Sequence, residues 1–477
     1  MSETIGEMIL PGTYIDVRAE GLIGVSGVST GNVGIVGTAN RGPLNQVVVL
    51  GSYSEALDTF GNYDRWPDKV ADQPKALTLT RTLEQLFTGG ASSVYAVRVA
   101  NVSGQLGSTT WSITAVVTGT DQELFKLTAK TPGTWANDIV ASLKTSTGQP
   151  VSLTLVLGRR KEEFSAATAA ELVSAVNDGS GLVDASAPAS GDAGLKPDKV
   201  QAPSKVLSNG EPATDTQFKA GLDLLASQPV NIVLVAGTDA KSSAGAVLGH
   251  LEGTENDGKE RIAVLGASSD DPAKISSDDA SVVGSGRVVL VAPGIVADDA
   301  ARAGERNSSV SLPASYAAAV VAGRLSALAP HVSLTNKDVA VDALTTDYSR
   351  AQQKLLLLNR ALVLQKNLGI RVLKGISTDT GPFRQISVRR IVDYAKAGVR
   401  IGSNPYIGRL NNARVRAALK ATLDGFLSGM IVDEMLTAYK LDVLATRQEE
   451  INGIARVVMT LQPTFSIDFV KVIMNLE

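Results

Sequence analysis

The stretch TQFKAGLDLLASQPVNIVLVA (residues 216–236) carries the reading of the fold. Thr216–Ala226 reads as a helix and Asn231–Ala236 as a strand, whose unbroken apolar run predicts burial on both faces. The same rhythm continues downstream with helix Ser242–Leu251, strands Arg261–Leu265 and Val288–Ala292, and a long small-residue helix, Pro313–Leu328. Upstream it includes strands Val33–Thr38, Gln46–Leu50 and Ser93–Val99, and helices Ser52–Phe60 and Ala76–Phe87. Ser52 or Ser54 is the expected N-cap of the first helix, with Glu55 placed as a capping-box partner. In Ser93–Val99, Val94, Ala96 and Arg98 alternate against Tyr95, Val97 and Val99. Such alternation of strands and helices predicts an α/β body with a mostly parallel sheet covered on both faces.

Three departures from that rhythm frame the body. The chain opens with an arm, Ile9–Val17, a short strand pattern broken by Pro11-Gly12, then the glycine-rich GLIGVSGVSTGN (residues 21–32). From Asn101 to Thr214 the composition shifts to Ser, Thr, Gly and Asp. β-like runs at Trp111–Val117, Leu124–Thr128 and Ser152–Leu157 precede a helix near Ala166–Asn177 and a polar stretch, Ala185–Ser208. This reads as an inserted β-rich outer module. The C-terminal part is α+β: helix Arg350–Asn359, a hairpin-like pair Ala361–Gln365 and Ile370–Leu373, and helices near Ile386–Ala397 and Asn412–Ser428. Two closing strands, Asn452–Leu461 and Thr464–Met474, flank Pro463. The expected division is an arm at 1–20, body at 21–100 and 214–349, insertion at 101–213, C-terminal domain at 350–462 and a terminal strand at 463–477.

Composition narrows the chemistry. The 477 residues are 44% apolar and 19% charged, an ordered profile. With no cysteine, thiolate nucleophiles, disulfides and thiolate metal sites are excluded, and His250 and His331 are the only histidines. Aromatic residues, at 4%, are too sparse for base-stacking platforms. The opening MSETIGEMIL lacks signal-peptide features and no apolar run approaches a membrane span, so cytoplasmic assembly is expected. Net charge is −3, yet residues 350–477 hold 19 Lys+Arg against 10 Asp+Glu. This split implies different partners for the two parts.

Candidate chemical motifs weaken on inspection. Gly253-Thr-Glu-Asn-Asp-Gly258-Lys259-Glu260 has a phosphate-loop skeleton, but Glu260 replaces the hydroxyl residue and a helix precedes where a strand should; it reads as a solvated turn. Gly31, Gly34 and Gly37 sit within a strand pattern, which implies close backbone packing rather than dinucleotide binding. Ser315 opens a helix that continues into Val321-Ala-Gly323, as the nucleophile of subtilisin-like proteases does. Its base would have to be His250, in surroundings unlike that family's, so a helix N-terminal role is the expected one. Asp270-Asp271, Asp298-Asp299 and Glu449-Glu450 read as solvated pairs.

Several stretches, in the right order, resemble the sheath proteins of contractile phage tails and related injection systems. They are LPGTYIDV (10–17), GNVGIVGTANRGPLNQVVVLGSYSEALDTFG (31–61), AKTPGTWAND (129–138, with Ala136 in place of the usual Gly), FRQISVRR (383–390) and the closing strands. Residues near 140–205 have no counterpart in that resemblance. The resemblance implies a subtilisin-like body without protease activity, no catalytic residue, no cofactor and no metal. It implies a subunit that forms stacked hexameric rings around a tail tube and contracts, with a baseplate and a tail terminator at its ends. Neither nucleic acid nor membrane is a direct partner in that picture; the virion tail, assembled in a host bacterial cytoplasm, is the expected location. Arms of such proteins add strands to a neighbour's sheet, a role that falls here on Tyr14, Ile15 and Val17 and on Phe465, Ile467, Phe469 and Val470. The glycine-rich Gly21–Gly31 would be a hinge. Arg409, Arg414, Arg416 and Lys420 are the candidate tube contacts. The sheath of a tailocin or other injection system is an alternative setting, although a single chain with both arms leans towards phage or tailocin. A subtilisin-fold hydrolase using Ser315 and a nucleic-acid binder acting through residues 350–477 are the alternatives of other classes.

Overall fold

The computed structural model describes residues 28–475, apart from 70–71, 74–75, 102–106, 147, 206–208, 210–211, 281–282 and 307. Tyr14, Ile15, Val17 and most of the expected glycine hinge lie outside the described residues.

The body begins with β1 (Val33–Gly37), β2 (Val47–Leu50), α1 (Tyr53–Phe60), α2 (Leu79–Thr88) and β3 (Val94–Arg98). An excursion follows: β4 (Thr110–Val117), β5 (Thr120–Ala129), β6 (Val140–Lys144), β7 (Val151–Leu157), β8 (Arg160–Ala166), α3 (Ala169–Gly179), β9 (Val183–Ala185) and β10 (Lys199–Val200). The body resumes with α4 (Asp215–Leu225), β11 (Ile232–Val235), α5 (Ala240–Asn256), β12 (Ile262–Gly266), α6 (Pro272–Lys274) and β13 (Val288–Ala292). Next come β14 (Ile295–Asp298), β15 (Ser309–Leu312), α7 (Ala314–Ser326), β16 (Ala343–Leu344), α8 (Arg350–Leu358), β17 (Ala361–Lys366) and β18 (Ile370–Val372). Last are α9 (Ile386–Ser403), α10 (Ala413–Val432), β19 (Leu436–Leu444), α11 (Arg447–Ile451) and β20 (Arg456–Pro463).

Eight strands, in the order β18-β17-β13-β12-β11-β1-β3-β2, form the body sheet. The six from β17 to β3 are parallel, and β18 and β2 add antiparallel edges. Because every residue of β11, β12 and β13 is buried, side chains of both parities are apolar. Ile232, Leu234, Ile262, Val264, Val289 and Val291 pack with α2 and α7 on one face. Val233, Val235, Ala263, Leu265, Val288 and Leu290 pack with α4 and α5 on the other. α2 and α7 approach through glycines: a Cβ at Gly323 would lie 2.1 Å from the Leu86 carbonyl oxygen, and one at Gly89 2.3 Å from that of Val320. Close packing is also the reason for Gly31, Gly34 and Gly37, whose added Cβ atoms would meet Ser326, Val230 and Ala236 within 3 Å.

Three expectations change. The pair β17–β18, grouped with the basic C-terminal part in the sequence, is one edge of the body sheet, because β17 pairs in parallel with β13. Gly253–Asn256 belongs to α5, not to a solvated turn; only Asp257-Gly258 turns, and Glu260 is buried against Arg400 and Lys396. Asp299 is no solvated carboxylate: fully enclosed, it accepts from Trp66 N–H at 2.8 Å and pairs with buried Arg81. One member of each of the other two acidic pairs is engaged too, Asp270 by Gly294 N–H and Thr346, Glu450 by Arg416 and Arg447.

The excursion has its own core, built on Trp111, Phe125, Leu127, Leu153, Leu155, Leu172 and Val176. Its joint with the body brings together two of the stretches quoted above. Asn40 Oδ1 accepts from Trp135 N–H at 3.0 Å, and Thr131 Oγ accepts from Gly42 N–H at 3.2 Å. Gly133 sits at φ +139°, and a Cβ there would lie 2.0 Å from the Asn40 carbonyl oxygen, so only glycine fits. Arg98 is fully buried, and its guanidinium donates to the carbonyls of Gly42 (2.7 Å), Pro132 (2.8 Å) and Asn40 (3.3 Å). The entry and exit of the excursion lie side by side, with Asn101 Nδ2 donating to the Pro212 carbonyl at 3.4 Å.

Candidate assembly interface

The C-terminal unit is built outward from α9. Of its basic residues, Arg390, Lys396 and Arg400 are bonded to the body and Arg389 to Asp393 of α9 itself; Arg389 and Arg390 are buried, Lys396 and Arg400 partly exposed. Buried Arg390 donates to the carbonyls of Leu328, Ala329 and Thr30, and burial pushes its guanidinium down to about 10. Arg287 of the body makes two 2.6 Å bonds to Glu255 and reaches Asp393 of α9 at 2.9 Å, while Arg389 closes on the same carboxylate. Lys396 pairs with Glu255 at 3.0 Å and Arg400 with Glu260 at 2.9 Å. Hydrogen bonds from Arg287 hold the Glu255 carboxyl at about 2.

α10 packs on α9 through Leu419, Leu423 and Leu427 with Ile391 and Ala395. β19 and β20 then pair antiparallel and lay Leu441, Tyr439, Val457, Met459 and Leu461 on that core. β19 has no counterpart in the sequence reading, although Thr437, Tyr439, Leu441 and Val443 carry its period of two. Among the described residues this sheet has only two strands. Each strand therefore keeps one edge of backbone donors and acceptors available to an added strand.

The residues after β20, expected to add a strand to a neighbour's sheet, do not double back into one of their own: Thr464–Met474 pairs with no strand of its own chain among the described residues. It runs along the surface with Phe465, Ile467, Phe469 and Val470 at 64%, 81%, 83% and 81% exposure. The strand pattern is present; the partner strand is not part of this chain's described residues.

The basic candidates are spread over α10 and the loop before it. Arg409 donates to the Pro405 carbonyl and lies over the Tyr406 ring, with its side chain exposed. Arg414 is exposed on the first turn of α10. Arg416 is half-buried between Glu450 and Asn411, and Lys420 pairs with Asp442 at 3.0 Å in solvent. Arg416 and Lys420 thus already neutralise carboxylates of the same chain.

Ser315 and His250 are not brought together as a nucleophile and its base. Ser315 opens α7 on one face of the sheet, while His250 lies on α5, which packs on the other. His250 Nε2 is bonded to Arg261 at 2.9 Å, and burial, reinforced by that cation, pushes the imidazole down to about 4. It is a neutral acceptor at pH 7.

Residues 378–477 match the family described as phage tail sheath C-terminal domain. The tail sheath protein of Bacillus phage SP01 is 25% identical over 243 residues, which are 49% of this chain and 42% of that protein. The match thus spans less than half of that relative's length. The crystal structure of a sheath tail protein from Desulfitobacterium hafniense superposes with a TM-score of 0.62 at 17% identity, over 95% of this chain and all of that one. The helical sheath of the anti-feeding prophage in its contracted state gives 0.58 at 14% identity, over 99% of this chain and all of that one. At these identities the superpositions establish the fold. The α9–β20 unit with the segment after it thus falls within the stretch that matches the phage tail sheath C-terminal domain family, and the chain as a whole shares the mixed α/β fold of these sheath structures.

Proposed function

We propose that this chain is the structural subunit of a contractile tail sheath. Copies polymerise into stacked hexameric rings around a tail tube, and the polymer shortens to drive the tube through a cell envelope. One observation carries this reading: among the described residues, a two-stranded sheet with unfilled edges and an apolar, strand-patterned terminus with no partner strand occur in one chain. Each supplies what the other lacks, so copies can link through strand addition. About five backbone bonds, at roughly 0.5–1.5 kcal/mol net each, give a few kcal/mol per link. Covering a Phe or Ile side chain adds about 1.5–3 kcal/mol where burial is complete. A link of this type survives rotation of the bodies it joins, which contraction requires.

The finer parts of the proposal rest on the resemblance and on composition. The body, which includes β17 and β18, keeps a subtilisin-like arrangement without its catalysis, and it separates an outer module at 101–213 from a tube-facing one that begins after β18. Tyr14, Ile15 and Val17 provide the second linking strand. Arg409, Arg414, Arg416 and Lys420 face the tube, although Arg416 and Lys420 also hold carboxylates of their own chain. Partners are the tube, baseplate and tail terminator, in a virion tail assembled in the bacterial cytoplasm; a tailocin or injection system would use the same subunit chemistry.

The test is negative-stain electron microscopy of the purified full chain beside a variant lacking residues 464–477. Ridged hollow tubes or six-fold rings from the full chain, absent from the truncated one, are expected. Tubes from both would refute linking through this terminus.

A further inference from the structure

The terminal segment is not uniformly loose. Thr464 N–H donates to the Met435 carbonyl at 3.0 Å, and Ser466 N–H donates to Gln385 Oε1 at 3.3 Å. The Asp468 carboxylate, with its side chain only 10% exposed, receives Ser466 Oγ of its own segment at 3.4 Å and three donors from the body. These are Lys374 Nζ at 3.0 Å, Thr335 Oγ at 3.2 Å and Gln385 Nε2 at 3.2 Å. The donors come from three separate places: the turn before β16, the residues after β18 and the N-cap of α9. Lys374 Nζ also lies 4.7 Å from the Phe469 ring centre. Beyond this point Val470, Val472, Ile473 and Met474 are 71–84% exposed.

The sidedness is inverted. In a strand on its own core, apolar side chains point inward and polar ones out. Here Ser466 and Asp468 are held against the body, and the alternate residues Phe465, Ile467 and Phe469 are thereby turned outward. A slip of one residue would bury the apolar row and expose the carboxylate. The three donors on Asp468 exclude that slip, since a buried carboxylate is tolerated only where paired.

We infer that Asp468 is the positioning residue of the terminal arm. Bonded to Lys374, Thr335 and Gln385, it roots residues 464–468 on their own subunit, sets which face of the arm looks outward, and leaves 469–475 as the part that crosses to a second copy. This deepens the strand-exchange reading and depends on it. Residues 469–475 alone span about 23 Å when extended, at ~3.3 Å per residue. Rooting keeps that strand at high effective concentration near a neighbour's sheet edge, whereas an unrooted arm would sample the whole volume around β20.

The experiment compares the full chain with Asp468→Ala, Asp468→Asn, Lys374→Ala, the Asp468→Ala/Lys374→Ala double variant and a chain ending at Phe469. Two readouts are taken: the concentration at which sedimentable polymer appears, and amide hydrogen exchange of peptides covering 464–469 in the unassembled chain. Asp468→Ala is expected to speed exchange across 464–469 at least tenfold and raise the polymerisation threshold about tenfold, with body peptides unchanged. Asp468→Asn keeps the shape and one carbonyl acceptor, so a smaller shift in both readouts is expected. The double variant should add little to either single one. The chain ending at Phe469 should keep its root protection and fail to polymerise. If that chain fails while Asp468→Ala polymerises at the normal threshold, the positioning role is overturned and strand exchange stands. If the chain ending at Phe469 polymerises normally, both are overturned.

Discussion

Replacing Arg287 by Met tests whether α9 and the body behave as one unit. Met retains most of the aliphatic stem and removes the charge. Arg287 is buried, binds Glu255 through two 2.6 Å bonds, Asp393 at 2.9 Å and the Arg261 carbonyl at 3.0 Å. Removing one member of a buried ion pair costs about 3–5 kcal/mol, because its partners stay buried. Here Asp393 keeps Arg389, and Glu255, 37% exposed, keeps Lys396. The low end, about 3 kcal/mol, is therefore expected. For a cooperative unit of roughly 150–250 residues this corresponds to a fall in Tm of about 6–12 °C. Scanning calorimetry, below the concentration at which copies associate, reads it directly. A second signature is acid sensitivity. The Glu255 carboxyl is held near 2 in the fold, so the unfolded chain binds more protons between about 4.5 and 2. The stability contributed by that group is present above this window and lost as pH falls through it; Arg287→Met should flatten that part of the curve. A fall in Tm under about 2 °C, or an unchanged acid profile, would refute the coupling.

Three more outcomes are expected. Gly323→Ala places a Cβ 2.1 Å from the Leu86 carbonyl oxygen, so α2 and α7 must separate; a loss of about 1–3 kcal/mol in urea unfolding is expected, and a neutral result would contradict the packing. His250 titrates near 4 in the fold and about 6.5 unfolded, so its contribution is full above 6.5 and lost as pH falls towards 4. His250→Gln should therefore shrink the difference between urea midpoints at pH 7.5 and pH 4.5. Ser315 Oγ is buried without a partner, so Ser315→Ala should leave stability unchanged or slightly raised. A fluorophosphonate probe should leave the wild-type serine unlabelled; stoichiometric labelling would restore the hydrolase reading.

The central parallel strands were legible because burial on both sides leaves an uninterrupted apolar run, as in Ile232–Val235, with little competing signal. Buried cations were not. Arg98, Arg261, Arg287 and Arg390 are written like surface charge, and only the fold places carbonyls or carboxylates around them. The acidic residues show the same asymmetry: Asp299 and Glu260 look solvated until Arg81 and Arg400 arrive from far along the chain. The terminus taught the opposite lesson. Phe465–Phe469 has the alternation of a strand, which records what the segment is suited to join and not what it joins within its own chain. Arg416 and Lys420 followed from helix position alone, and their carboxylate partners on α11 and β19 lie 34 and 22 residues away, beyond any local pattern.

The adjacency of Asn101 and Pro212 has a consequence for how such a chain can diversify. Between those two points the polypeptide leaves the body and returns to nearly the same place, so β3 and α4 keep their seats whatever lies between. Closing a longer loop costs only about 0.6 kcal/mol per doubling of its length. The position is therefore a port, open to enlargement, loss or replacement by a foreign domain, provided that the seat around Arg98 and Gly133 is respected. In a helical polymer any such passenger would be displayed once per subunit, at a spacing dictated by the lattice and not by the passenger.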